Sequence, residues 1–92
     1  MLYLYYHSRK ISVISELNIM YKVTGDHLSI IRQILGYKTQ QDFAELCGVT
    51  RQTIVDWESR ETLTPELIDR INKITSKNIY IIANMIDRVK DS

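Results

Sequence analysis

The side chains that most often carry chemistry are few in this chain and poorly spaced for it. Two histidines, His7 and His27, and one cysteine, Cys47, occur in 92 residues. No two of them have the separation of a zinc-ligand motif. Both histidines read as surface or capping residues. Cys47 falls at an interior helix position and reads as an inert core thiol rather than a nucleophile. Acidic pairs such as Asp42 and Glu45 fall on a solvated helix face, and no glycine-rich phosphate loop is present. The expectation is a protein that is not an enzyme and that uses no metal and no cofactor.

A different chemistry, the presentation of side chains to a partner, is written between Gln40 and Glu58. Two short helices joined by a tight turn make separate demands on sequence, and this stretch meets each of them. Counting from Gln40, the fifth residue faces the next helix at close range and must be small; it is Ala44. The ninth needs positive φ at low steric cost and is Gly48. The fourth, eighth, tenth, fifteenth and eighteenth point into a shared core and are Phe43, Cys47, Val49, Ile54 and Trp57. An arbitrary pair of amphipathic helices rarely places all of these together.

This stretch resembles the Cro/repressor family of helix-turn-helix domains, also called XRE-like. The run Thr39-Gln40-Gln41-Asp42-Phe43-Ala44-Glu45-Leu46 is similar to that family's second helix. Gly48-Val49-Thr50-Arg51-Gln52-Thr53-Ile54 is similar to its third, and Trp57-Glu58 to its close. The resemblance covers roughly residues 24–74. It implies a λ-repressor-like fold whose third helix, about Arg51 to Ser59, enters the DNA major groove, with dimers reading two half-sites. Base contacts are then implied for Arg51, Gln52, Thr53, Val55 and Asp56. Arginine suits guanine O6/N7, glutamine suits adenine N6/N7, and valine suits a thymine methyl. Asp56 can only accept, from cytosine N4 or as a brace for Gln52 or Arg51. Phosphate contacts are implied for Gln40, Thr50, Lys38 and Arg60. Arg32 and Glu58 align with a buried ion pair of the family. The resemblance is imperfect at two points. The turn Gly36-Tyr37-Lys38-Thr39 is one residue longer than the commonest form, which brings Lys38 toward phosphate. Arg60 stands where a glycine usually follows the third helix, so the helix runs on there or the turn differs.

The elements that must position these residues are legible from caps and breakers. Thr24 or Asp26 can cap a first helix from about His27 to Leu35, ended by Gly36. Thr39 caps the second, with Asp42 resembling the acidic half of a capping box, and Gly48 stops it. Thr50 caps the third. Thr64 and Pro65 suit the start of a fourth. Beyond it Ile68, Ile71, Thr75, Ile79, Ile82, Ile86 and Val89 recur at steps of three and four. That stripe fits one long helix, or two helices broken near Thr75-Ser76, and serves either core packing or a subunit interface. Residues 1–23 form an N-terminal arm or extra helix: Leu2 to Tyr6 is β-leaning, whereas Ile11, Ile14, Leu17 and Tyr21 have helical spacing. The expected fold is all-α, a compact bundle of about five helices containing a helix-turn-helix. Residues 24–75 are its DNA-binding domain, and residues 76–92 are a C-terminal helix for packing or dimerisation.

Composition sets the outer limits. The chain is the size of one domain. A lone cysteine excludes an internal disulfide and fits a reducing cytoplasm. The longest apolar run near the C-terminus, Ile79 to Ala83, falls far short of the roughly 20 residues of a membrane span. The formal net charge is +1. Residues 24–75 carry six basic and eight acidic side chains, so the salt dependence of any DNA complex should be shallow, each neutralised phosphate adding about −0.9 to its slope. The expected partners are a double-stranded operator and a second copy of the chain, through the C-terminal helix or the N-terminal arm. The function so implied is that of a DNA-binding transcriptional repressor or regulator. The acidic balance motivates one alternative: an interaction module, antitoxin-like or a phage regulatory adaptor, that keeps the fold with weak or no DNA binding and takes a protein partner.

Overall fold

A computed structural model describes residues 21–91 of the chain. The expectations for the arm or extra helix fall largely on residues 1–20 and lie outside the described residues. Within these bounds the fold is five α-helices with no strand, and each begins where a side chain can satisfy orphan amides. Helix α1 (Gly25–Ile34) is capped by Thr24, whose Oγ1 accepts from the His27 amide at 3.1 Å. His27 Nδ1 in turn accepts from the Thr24 amide at 2.9 Å, a reciprocal capping box. The helix therefore starts two residues earlier than its apolar periodicity suggests. Helix α2 (Gln40–Cys47) is capped by Thr39 through the Asp42 amide at 3.0 Å, and it ends at Gly48 with φ 70°. Asp42 completes no reciprocal bond to Thr39 among the described residues. Its carboxylate sits in the first turn, where the helix dipole favours negative charge.

Helix α3 (Arg51–Ser59) starts at Thr50, which accepts from the Thr53 amide at 3.2 Å. Helix α4 (Pro65–Thr75) starts at Thr64 with proline in its first turn. The C-terminal stripe is two helices, since Ser76 turns the chain at φ 57° before α5 (Ile79–Asp91). Two asparagines sustain this break: Asn72 Oδ1 accepts from the Ile79 amide at 2.8 Å, and Asn78 Oδ1 from the Ile81 amide at 3.2 Å.

Packing explains which residues these helices bury. Helix α2 packs most extensively on α3, α1 crosses α3, and α5 folds back on α1 and α4. Leu28, Ile31, Phe43, Ile54, Ile68 and Ile71 are fully buried between them. Ala44 is buried too, and a larger side chain in that tightly packed interior would force the neighbouring helices to shift. Val49 is half-buried against the core rather than inside it. From the C-terminal stripe, Ile79 joins the core, while Ile82 and Ile86 pack on its edge. Ile81 and Met85 stay outside, at 53% and 58% exposure.

One close approach fixes α1 against the end of α3. A Cβ at Gly25 would lie 2.3 Å from the Glu58 carbonyl oxygen and 2.7 Å from that of Trp57. The missing side chain lets the Gly25 amide donate to the Arg60 carbonyl at 2.9 Å. Arg60 itself is extended, φ −74° and ψ 142°. Helix α3 therefore does not run on. Its exit needs no left-handed residue, and the glycine demand of this junction falls on Gly25 instead.

Candidate nucleic-acid interface

A buried polar junction holds the exposed face of α3 in place. Arg32 Nε donates to Glu58 Oε2 at 2.7 Å, and the two side chains are only 7% and 8% exposed. Arg32 Nη1 also donates to the Tyr37 and Lys38 carbonyls, each at 2.8 Å. The second carboxylate oxygen, Glu58 Oε1, accepts from Gln40 Nε2 at 3.0 Å. One carboxylate thus ties α1, the α1–α2 turn and the first residue of α2 to the last turn of α3. Arg32 alone donates three of these bonds, so the buried charges are both paired and hydrogen-bonded, as burial in a low dielectric requires.

The remaining candidate residues distribute themselves around this junction. Arg51 and Gln52, at the start of α3, are exposed and make no hydrogen bond or ion pair within the described residues. Thr53 and Val55 are half-buried. Thr50 is exposed, with its hydroxyl engaged by the Thr53 amide and, at 2.9 Å, by the Thr53 hydroxyl. Asp56 is exposed and accepts from Arg60 Nη2 at 2.9 Å, an i,i+4 pair along the end of α3. Lys38 has an exposed side chain, while its backbone carbonyl is held by Arg32. Lys38, Gln40 and the end of α3 are therefore gathered at one place. Thr50 and Arg51 lie at the opposite end of a nine-residue helix, about 12–14 Å away. Two of these links escaped the sequence reading. The Arg60–Asp56 spacing of four is itself a helix-pair signal, whereas nothing local announces that Gln40 reaches Glu58.

His27 takes the capping role of the two expected for it. It is 7% exposed and so is no surface residue. With Nδ1 accepting from Thr24, its Nε2 carries the proton and donates to Asp87 Oδ1 on α5 at 2.7 Å. Tyr21 donates its hydroxyl to Asp87 Oδ2. Burial, reinforced by Asp87, pushes the Tyr21 phenol up to about 12, while the bonds from Tyr21 and His27 hold the Asp87 carboxyl below its usual range. Cys47 is buried, and burial pushes its thiol up against the smaller opposing influence of Arg70. The described residues contain no cluster of three or more His, Cys, Asp or Glu placed to hold a metal. No described helix is long and apolar enough to cross a membrane.

Comparison with known proteins agrees with this geometry. A family model described as helix-turn-helix matches residues 28–85, from the first turn of α1 to the middle of α5. No curated protein and no solved structure matches the chain.

Proposed function

The chain belongs to the XRE-type helix-turn-helix family of DNA-binding domains, and on that premise we propose that it is a sequence-specific transcriptional repressor that reads double-stranded DNA with α3. One observation carries this reading. Arg51 and Gln52 stand exposed, with no partner among the described residues, at the N-terminal end of the helix that such domains insert in the major groove. Their donors and acceptors match guanine and adenine edges, and the side of α3 that would face DNA also carries Thr53, Val55 and Asp56. Lys38, Thr50 and the amide end of α2 at Gln40 supply the backbone contacts that set register without reading sequence. Repression needs only occupancy of the promoter by such a complex.

A second copy of the chain completes the proposal, since half-sites about one helical turn apart require two reading helices. The exposed Ile81 and Met85, one turn apart on α5, are the apolar residues that would meet across that contact. Selection from a random double-stranded DNA library tests the whole reading. The expected product is a motif of two related half-sites separated by about one turn, bound in a salt-sensitive manner. A pool that stays random after repeated selection would contradict it. That result would instead favour an interaction module, a reading that draws on the exposed acids Asp42 and Glu45 of α2.

A further inference from the structure

The pair at the end of α3 has a use that stability does not explain. Exposed i,i+4 ion pairs contribute little to folding, and Asp56 and Arg60 remain 58% and 41% exposed. Their importance lies in where they put charge. Helix α3 carries two carboxylates. Glu58 is buried and has both oxygens occupied by Arg32 and Gln40. Asp56 is the other, on the exposed side with Arg51 and Gln52. A bare carboxylate brought into the groove would be repelled by the surrounding phosphates.

Arg60 is well placed to remove that repulsion. Its backbone is pinned at both ends, the amide donating to the Trp57 carbonyl at 3.3 Å and the carbonyl accepting from Gly25 at 2.9 Å. From this fixed point the guanidinium folds back one turn and donates to Asp56 Oδ2. Asp56 Oδ1 has no partner among the described residues. The paired aspartate is thus neutralised on one oxygen and presents the other as a pure acceptor. Cytosine offers a single major-groove donor, N4, whereas adenine sets an N7 acceptor beside its N6 donor, which would face the carboxylate unfavourably.

We infer that Arg60 is a positioning residue for specificity: it holds and neutralises Asp56 so that Asp56 reads a cytosine, rather than gripping a phosphate itself. This rests on the repressor reading above and assigns a specific job within it. The test is a double-mutant cycle on the selected operator and on operators altered at each base pair, across a range of salt. Arg60→Ala should weaken operator binding about five- to tenfold and lose preference at the same C·G pair that Asp56→Asn loses, a discrimination typical of one polar base contact. In the Asp56→Asn background the same substitution should change affinity by less than about twofold, because no charge remains to be neutralised. The salt slope should be unchanged, and Arg60→Lys should recover part of the preference.

An equal loss in both backgrounds, uniform over all sequences and with a slope shallower by about 1, would assign Arg60 to a phosphate and overturn the inference. So would an Arg60→Ala protein that binds and discriminates as the parent does. A parent that selects no DNA site would overturn this inference together with the repressor reading, whereas a selective parent with an additive cycle would overturn this inference alone.

Discussion

Glu58 is withdrawn from DNA, because its side chain is buried and Arg32 and Gln40 engage both its oxygens inside the fold. A glutamate beside a proposed DNA interface therefore acts as a tie between three helices and not as a ligand. Removing one partner of a buried pair strands the other charge, so Glu58→Ala should cost about 3–5 kcal/mol in urea unfolding. A loss below about 1 kcal/mol, the level of a surface pair, would contradict the burial of this junction. Arg51 and Gln52 present the opposite case. They are exposed and without a partner among the described residues, so Arg51→Ala and Gln52→Ala should leave the melting curve unchanged. Each should cost about 1–3 kcal/mol of operator affinity and relax specificity at one base pair, measured by titration of matched and altered sites. Operator binding equal to the parent's in both variants would remove α3 as the reading helix.

At the scale of elements, the junctions between helices set the geometry more than the helices themselves. Gly25 lets α1 meet the end of α3, and Gly25→Ala should destabilise the fold by about 1–3 kcal/mol, since the new methyl group would meet backbone that cannot turn aside. A thermal transition at the parent's temperature would show that this approach is looser than described. A second junction joins α5 to α1 through Tyr21, His27 and Asp87, and it makes stability depend on pH at both extremes. The Asp87 carboxyl is held down, so its contribution is present above the usual carboxylate value and fades as pH falls through the lowered one. The Tyr21 phenol is raised to about 12, so its contribution is present below the ordinary value of 10.0 and is lost as pH rises toward 12. Asp87→Asn should flatten the acid edge and reduce, without abolishing, the alkaline one, since burial is the larger cause of the Tyr21 shift. A variant with the parent's pH profile in urea unfolding at acid, neutral and alkaline pH would exclude the junction as their source. Such junctions mark where the sequence stops being legible. Thr24, Thr39, Thr50, Thr64, Pro65 and Gly48 announce themselves because a cap or stop is a contact within a few residues. The position of the Ser76 break depends on Asn72 and Asn78. The burial of His27 depends on Asp87, sixty positions along the chain. The extended exit at Arg60 depends on Gly25. Apart from Asn78, which caps α5 through an amide three residues on, these contacts have no local signature. The candidate interface was more legible than its supports, because exposure of Arg51 and Gln52 follows from helix periodicity once the core residues of α3 are known.

For the whole molecule the constraint is charge. A protein with a net charge of +1 gains little general attraction to DNA, so discrimination must come from base contacts and affinity from a few cations in register. The fold meets this by holding Lys38, Gln40 and the end of α3 in one unit while leaving Arg51 and Gln52 outside it. Methylation of guanine N7 on the selected operator tests the insertion of α3 most directly, because that atom lines the major groove and is the one Arg51 is held to grip. Methylation of a guanine in each half-site should block binding of the parent chain, and the same guanine should cease to matter to Arg51→Ala. Binding indifferent to guanine methylation throughout, or a pattern identical in the parent and the variant, would contradict the account.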